Sequence, residues 1–268
     1  MPIVEDKSPN TSGIIWGVPV PNREPIYYRF LSASVKINVQ SSSGSGTIIY
    51  YDKKNNEAYV ISCGHLWNGS RDFQSLQTNP EYCNITIWHQ NNQKLNEPKK
   101  YRARVLFWSN ERGYDSSLLK FTPDWVPNFF SIAPSNYLLN SGFKLNSCGC
   151  DGGEEVARYE VEFVEYRGLD LITTKNSPRP GRSGGGLLTD DGLFVGICWG
   201  TSNVSGTGIG YFTPLSSIHK IFNEQGFSWL LNNQRLAQRI PILDRNNNQQ
   251  EYESGYISSP NLNSFNIP

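Results

Sequence analysis

A glycine-rich stretch in the last third of the chain holds the residue best suited to do chemistry. It runs Gly181-Arg182-Ser183-Gly184-Gly185. Glycines beside a serine let the backbone turn sharply, so that the hydroxyl projects outward while neighbouring N–H groups converge on one point. Such a serine is suited to attack a carbonyl carbon. A plain glycine-rich turn would explain the same residues without chemistry.

A serine hydroxyl is a weak nucleophile and needs a base, and the chain has only three histidines. His65 follows an apolar segment and a glycine, so we expect it at the rim of a barrel. His89 lies in an alternating strand-like segment and His219 in a predicted helix, and we interpret both as structural. Asp115 stands at the entry to an apolar strand, where a shielded carboxylate could orient an imidazole, although aspartates also start strands without such a role.

Short β-branched and aromatic runs recur on both sides of a Pro- and Asn-rich connection at residues 123–141. Their spacing and turn residues predict an all-β fold, and a pair of barrels fits better than one sandwich. One helix is predicted, Pro214–Gly226, with a serine cap and a terminating glycine. The predicted strands are Tyr27–Val39, Gly46–Tyr51, Ala58–Cys63, Ile85–Gln90, Tyr101–Trp108, Ser116–Phe121, Phe143–Cys148, Val156–Arg167, Leu169–Thr174, Gly184–Thr189, Leu193–Trp199 and Gly208–Pro214.

Composition excludes several classes of protein. The 24 basic residues balance the 24 acidic ones, so no net field attracts nucleic acid or anionic lipid. We therefore expect neither a nucleic-acid nor a membrane partner. The five cysteines are an odd number, which excludes a complete disulfide framework and predicts reduced thiols. Cys148 and Cys150 could form half of a metal site, but no second pair stands at ligand spacing, so we expect no metal.

The amino terminus lacks a basic region followed by an apolar stretch, and no run approaches the ~20 residues of a membrane helix. We expect a cytoplasmic protein unless a leader was removed. Four regions are predicted: an amino-terminal extension (1–25), a first barrel (26–125), the connection with a second barrel and helix (126–231), and a polar tail (232–268).

Three strings together resemble those of a trypsin-like (chymotrypsin-fold) serine peptidase, in a bacterial or phage-type branch. They are Cys63-Gly64-His65, Tyr114-Asp115-Ser116-Ser117-Leu118-Leu119 and Gly181-Arg182-Ser183-Gly184-Gly185, in the chain order His, Asp, Ser. That order separates this family from subtilisin-like and α/β-hydrolase enzymes. Two later segments match as well, Gly196-Ile197-Cys198-Trp199-Gly200 and Gly208-Ile209-Gly210-Tyr211-Phe212-Thr213-Pro214. The resemblance spans residues 30–230.

The resemblance implies two six-stranded antiparallel β-barrels of the chymotrypsin type with a carboxy-terminal helix. It also implies a serine endopeptidase that needs no cofactor and acts on a protein or peptide through an acyl-enzyme. His65, Asp115 and Ser183 would form the catalytic triad, and the amides of Gly181 and Ser183 the oxyanion hole. The substrate-binding residues would be Ser177, Cys198, Trp199, Gly200 and Gly210.

Several residues depart from the family pattern or qualify it. Relatives activated by cleavage carry an aspartate directly before the nucleophile, which pairs with a new amino terminus. This chain has Arg182 there, so we predict no such switch. Cys198 replaces a common serine that bonds the triad carboxylate, so Asp115 is expected to be held less firmly. The pocket residues predict a neutral or apolar P1 side chain, but Arg179 could instead reach in to meet an acidic one.

Two other functions are compatible with the sequence. One is a catalytically inactive binding, structural or virion module on the same fold. The other is an esterase that does not act on peptides. The natural substrate and the oligomeric state are not determined by the sequence.

Overall fold

The computed structural model describes residues 18–19, 25–39, 42–67, 82–91, 94–111, 113–152, 154–168, 171–202 and 208–231. The predicted carboxy-terminal tail, residues 232–268, lies outside these ranges, as does most of the predicted amino-terminal extension.

The first barrel is a closed sheet of six antiparallel strands. Neighbouring strands follow the order β2-β3-β4-β7-β6-β5, and β5 pairs back with β2. Its strands are β2 (Ser34–Val39), β3 (Ser42–Asp52), β4 (Glu57–Ser62), β5 (Tyr82–Asn91), β6 (Lys94–Ser109) and β7 (Ser116–Phe121). Buried aliphatic side chains alternate inward along the strands, as in β2, where Val35, Ile37 and Val39 are buried.

The second barrel repeats this plan with six more antiparallel strands. Its order is β9-β10-β13-β12-β11-β8, closed by pairing of β8 with β9. The strands are β8 (Lys144–Cys150), β9 (Val156–Arg167), β10 (Leu171–Lys175), β11 (Gly186–Leu188), β12 (Phe194–Thr201) and β13 (Ile209–Pro214). A two-residue strand, β1 (Val18–Pro19), pairs with β9 outside the barrel. These strands confirm the predicted pair of six-stranded antiparallel barrels.

The first predicted strand is wrong in its first half. Residues 25–32 form helix α1 (Pro25–Ser32), and β2 begins only at Ser34. The aromatic composition of this segment favours a strand, but burial of the helix determines the outcome. Phe30 is fully buried, and its ring centroid lies 5.0 Å from that of Phe130, which is in the connection between the barrels.

The predicted carboxy-terminal helix is present as α2 (Leu215–Glu224), but its serine cap is wrong. Pro214 occupies the capping position in an extended conformation, and no side chain caps the helix. The helix buries Ile218, Ile221 and Phe222, and the Phe222 ring lies edge-on to Phe107 of the first barrel. Packing of this apolar face therefore fixes the helix without the cap. No helix in the described part of the chain is long and apolar enough to cross a membrane.

All five cysteines are free and buried. Reduced thiols stay a prediction.

Candidate active site

His65 is positioned by the close approach of the segment that follows β4 to the end of β6. The preceding Gly64 lies so close to β6 that an added Cβ would stand 1.8 Å from the carbonyl oxygen of Ser109, so only glycine fits there. The chain then turns into a short 3₁₀ helix, His65–Trp67, whose Leu66 and Trp67 side chains are buried. The imidazole is left at the surface of the barrel, with a third of its side chain exposed.

Asp115 precedes β7 and is buried beneath His65, with 2% of its surface exposed. One carboxylate oxygen, Oδ1, accepts hydrogen bonds from the backbone N–H groups of Gly64 (2.9 Å) and His65 (2.7 Å). The other, Oδ2, lies 2.6 Å from His65 Nδ1. Because a carboxylate can only accept, Nδ1 carries a proton, and in the neutral imidazole the lone pair is then on Nε2. Nε2 is the atom that a general base must present.

The structure does not support the expectation that Asp115 is held loosely. Cys198 is buried, and no hydrogen bond from its thiol to Asp115 is present among the described residues. Two main-chain donors bind the carboxylate instead. Thr213 of β13 donates its hydroxyl to the Asp115 carbonyl oxygen at 3.2 Å, which ties this residue to the second barrel.

Ser183 lies in the loop before β11, and this loop packs against the first barrel. The Ser183 carbonyl oxygen accepts a hydrogen bond from Ser45 N of β3 at 2.7 Å. Gly184 has a φ of +88°, and an added Cβ would stand 2.1 Å from Ser62 Oγ and 2.9 Å from Cys63 N. The loop therefore lies directly against the chain segment that carries His65. The predicted strand at Gly184 is wrong in its first two residues, because β11 begins only at Gly186.

Two N–H groups of this loop are available to an external acceptor. Arg182 N, Gly184 N and Gly185 N donate to backbone carbonyls at 3.2, 2.8 and 2.8 Å. Within the described part of the chain, the N–H groups of Gly181 and Ser183 have no such acceptor. These are the two donors that the sequence analysis assigned to an oxyanion hole.

His65 and Ser183 are not joined by a hydrogen bond among the described residues. The nearest recorded polar partner of His65 Nε2 is the thiol of Cys63, at 3.6 Å. Burial, followed by the charge of Asp115, raises the pKa of this thiol well above its usual value, so it is neutral. A neutral thiol is a weak partner, and catalytic hydrogen bonds commonly tighten only when substrate is bound.

Cys63, His65 and Asp115 offer ligand atoms within 4.8 Å of one another. However, Asp115 binds His65 through Nδ1, whereas Cys63 faces Nε2 on the opposite edge of the ring. One ion cannot replace both contacts without breaking the carboxylate–imidazole bond. The geometry thus favours an oriented base over a metal centre.

The two other histidines are not part of this cluster as far as the structure describes them. His219 on α2 bonds through Nε2 to the Ala133 carbonyl oxygen at 2.8 Å, which is a structural contact. His89 lies on β5, and its side chain is outside the described residues.

The predicted pocket residues lie together around the end of β10 and the start of β13. Ser177 is fully buried, and its hydroxyl contacts Thr201 Oγ1 and donates to the Ile209 carbonyl oxygen at 3.2 Å. An added Cβ at Gly210 would stand 2.6 Å from Thr174 Oγ1, whereas one at Gly200 would meet nothing within 4 Å. Thr174 and Thr201 are not among the residues predicted from the sequence, because neither lies in the segments that carry the resemblance.

The contacts and the exposure of three nearby residues differ: Cys198, Trp199 and Arg179. The Cys198 N–H donates to the Gly185 carbonyl oxygen, and the Cys198 carbonyl oxygen accepts from Gly184 N, both at 2.8 Å. Cys198 therefore supports the loop that carries Ser183. Trp199 is 44% exposed. Arg179 lies beside Asp151 and Tyr159, with Nε 4.0 Å from Asp151 Oδ2, beyond hydrogen-bond distance, and its guanidinium carbon 5.1 Å from the Tyr159 ring centroid.

Comparisons with known proteins agree on one family and one fold. Residues 44–197, more than half of the chain, match the family model described as a trypsin-like peptidase domain. The serine protease Do-like HtrA of Bacillus subtilis is 24% identical over 274 aligned residues, covering 95% of this chain and 54% of that protein. The chain thus spans about half the length of this curated relative.

Solved structures show the same fold at low identity. An inactive form of Rv3671c from M. tuberculosis gives a TM-score of 0.57 at 19% identity, covering 80% of this chain and 97% of that one. The serine endoprotease from Yersinia pestis gives a TM-score of 0.57 at 18% identity, covering 81% of this chain and 68% of that one.

Proposed function

Because the chain belongs to the trypsin-like peptidase family, we propose that it is a serine endopeptidase that hydrolyses peptide bonds through an acyl-enzyme. The observation that carries this proposal is the state of His65. A buried carboxylate with three hydrogen bonds holds the imidazole with Nδ1 as the donor, so that in the neutral ring Nε2 carries the lone pair. A binding module would have no use for this arrangement.

In the proposed reaction, Ser183 Oγ attacks the carbonyl carbon of the scissile bond while His65 Nε2 accepts the hydroxyl proton. The negative charge that develops on the carbonyl oxygen is stabilised by the N–H groups of Gly181 and Ser183. His65 then gives its proton to the departing amine, which leaves an ester on Ser183. Water, deprotonated by the same nitrogen, attacks this ester. His65 then returns the proton to Ser183 Oγ as the ester bond breaks and the acid product leaves.

Asp115 acts in this scheme by stabilising the imidazolium that forms. Its charge lies 2.6 Å from Nδ1 and is shielded from solvent, so the interaction is stronger than at a surface. The two backbone donors on Oδ1 hold the carboxylate in place during proton transfer, so no reorganisation is needed.

A neutral or apolar P1 side chain fits the proposed pocket best. Its described residues include Ser177, Thr174 and Thr201, which carry hydroxyls and no charge. Ser177 is committed to partners inside the protein. Arg179, the candidate for a counter-charge, lies beside Asp151 and the Tyr159 ring. An acidic or basic P1 group would therefore lose its hydration without an opposite charge.

Hydrolysis assays on casein and on an activated ester test this function. We expect the wild type to cleave both and Ser183→Ala and His65→Ala to cleave neither. His219→Ala and the exposed-site variant Ser43→Ala are the matched controls, and both should retain activity. Cleavage of the ester alone would indicate an esterase, and a folded wild type that cleaves neither would indicate a binding module. A peptide series that varies P1 among Leu, Phe, Glu and Lys tests the pocket.

A further inference from the structure

Arg182, directly before the proposed nucleophile, is one of the largest fully buried side chains among the described residues, with 1% of its surface exposed. A buried guanidinium is costly unless its donors are paired. Nε donates to Asp151 Oδ1 at 2.7 Å, Nη2 donates to the Ala157 carbonyl oxygen at 3.0 Å, and Nη1 donates to the Ser147 carbonyl oxygen. All these partners belong to β8, β9 or the turn between them.

Asp151 is the charged partner in this network, on the turn between β8 and β9. It also accepts a hydrogen bond from the Tyr159 hydroxyl at 2.5 Å. The Arg182 guanidinium lies over the Tyr159 ring, 4.1 Å from its centroid. Burial, followed by the hydrogen bond to Asp151, raises the pKa of Tyr159 to about 12, so the phenol stays a donor at neutral pH. The guanidinium is thus held edge-on by a carboxylate and face-on by an aromatic ring.

The turn between β8 and β9 also sets the direction of the Gly181 N–H, one of the two proposed oxyanion donors. Gly152 N donates to the Pro180 carbonyl oxygen at 2.7 Å. A trans peptide is planar, with its C=O and N–H pointing in opposite directions. Because Gly152 holds the Pro180 oxygen, the Gly181 N–H of the same peptide points away from Gly152.

The second oxyanion donor is fixed in the same way. The Arg182 carbonyl oxygen accepts from Gly185 N at 2.8 Å, so the next N–H in the chain, that of Ser183, points to the opposite side. On the first-barrel side, Ser45 donates its hydroxyl to the Gly181 carbonyl oxygen at 2.8 Å. The carbonyl oxygens of three consecutive residues, Pro180, Gly181 and Arg182, are therefore each held by a hydrogen bond. Among the described residues 181–185, Arg182 is the one whose side chain bonds to the second barrel.

We propose that Arg182, locked to Asp151, is a positioning residue that keeps the N–H groups of Gly181 and Ser183 aimed at the oxyanion. This inference rests on the proposed peptidase function. It assigns to an internal ion pair the role that a freed amino terminus and an aspartate have in cleavage-activated relatives. The loop then needs no proteolytic event to reach its active form.

The experiment compares the full chain as wild type with Arg182→Met, Arg182→Lys and Asp151→Asn. Arg158→Met is the matched control, because Arg158 is also buried and donates to Asn146, and none of its hydrogen bonds or ion pairs within the described part of the chain reaches residues 181–185. Thermal unfolding verifies that each variant is folded. Three quantities are measured: kcat, KM, and Ki for a peptide boronate, which forms a tetrahedral adduct with an oxygen in the oxyanion site.

We expect Arg182→Met to lower kcat by about 10²–10³-fold, the loss found when one oxyanion donor is removed, with KM changed less than threefold. Ki for the boronate should rise in parallel with the loss of kcat. Arg182→Lys should recover part of the activity, since it restores the charge but fewer donors. Asp151→Asn, which is milder, should lower kcat about tenfold. Arg158→Met should lower the unfolding temperature and leave kcat and Ki unchanged.

The possible failures are distinguishable. A wild type that neither hydrolyses peptides nor binds the boronate would overturn the peptidase function. An active wild type with folded Arg182 and Asp151 variants of equal kcat and Ki would overturn this inference alone. Equal losses of kcat in Arg158→Met and Arg182→Met would assign Arg182 a purely structural role and reject it as well.

Discussion

Replacing Asp115 with asparagine should abolish turnover and leave the fold intact. An asparagine side chain has one acceptor oxygen and one NH₂ donor group. If the oxygen keeps the two backbone bonds of Oδ1, the NH₂ group faces His65 Nδ1, which must then accept a hydrogen bond. The ring proton moves to Nε2, and the base is lost. The reverse orientation would place the NH₂ group against two buried N–H donors, each costing about 1–3 kcal/mol, so it is disfavoured.

The expected loss of kcat is about 10⁴-fold. This magnitude is that of the equivalent substitution in a related trypsin-like enzyme. At about 1.36 kcal/mol per factor of ten, it corresponds to ~5.5 kcal/mol of transition-state stabilisation. The free energy of unfolding should fall by much less, about 1–3 kcal/mol, because the two backbone hydrogen bonds remain and only their charge assistance is lost.

The assay is peptide hydrolysis at pH 7 to 8, with thermal unfolding of the same samples. Asp124→Asn is the matched control, since Asp124 is an exposed carboxylate bonded to Lys99 and Tyr101. It should keep full activity. A folded Asp115→Asn variant that retains more than a tenth of the wild-type kcat would refute the reasoning that the tautomer of His65 controls catalysis.

Four further predictions concern the loop and the thiols. Gly184→Ala should unfold the protein or destabilise it by more than about 3 kcal/mol in chemical denaturation, because φ is +88° and the new Cβ would stand 2.2 Å from the Ser45 carbonyl oxygen. Ser45→Ala should lower kcat about tenfold at unchanged KM, since it frees the Gly181 carbonyl oxygen, and unchanged kcat would contradict this. Burial raises the pKa of four of the five thiols to about 12, so a thiol reagent at pH 8 should react only after unfolding. Folded-state pKa values above the unfolded ones also mean that the free energy of unfolding should fall as pH rises from about 9 towards 12, which denaturation at several pH values would detect.

The sequence was sufficient to predict the barrels and to select the residues of the candidate site. Turn residues and short β-rich runs determine strand formation locally, and histidines are so rare that the base could be selected by elimination. Helix α1 could not be predicted, because its aromatic residues favour a strand and only burial of Phe30 against Phe130 selects the helix. The serine cap predicted for α2 is absent for the same reason, because packing of the buried face of the helix stabilises it without a capping side chain.

The anchoring of the site was hidden from the sequence because it depends on main-chain groups and distant partners. The donors to Asp115 Oδ1 are backbone N–H groups 50 and 51 residues away, and any residue type supplies them. Arg182 was recognised as a departure from the family pattern, but its partner Asp151 is 31 residues distant. An aspartate on a hairpin turn carries no signal of that pairing until the fold brings the two together.

Mass spectrometry after reaction with a fluorophosphonate tests the central claim most directly. If His65 activates Ser183, the folded wild type should gain one phosphonyl group, which maps by peptide sequencing to Ser183. Labelling should disappear in Ser183→Ala and fall strongly in His65→Ala. A folded wild type that remains unlabelled, or that is labelled at another residue, would contradict the proposed nucleophile.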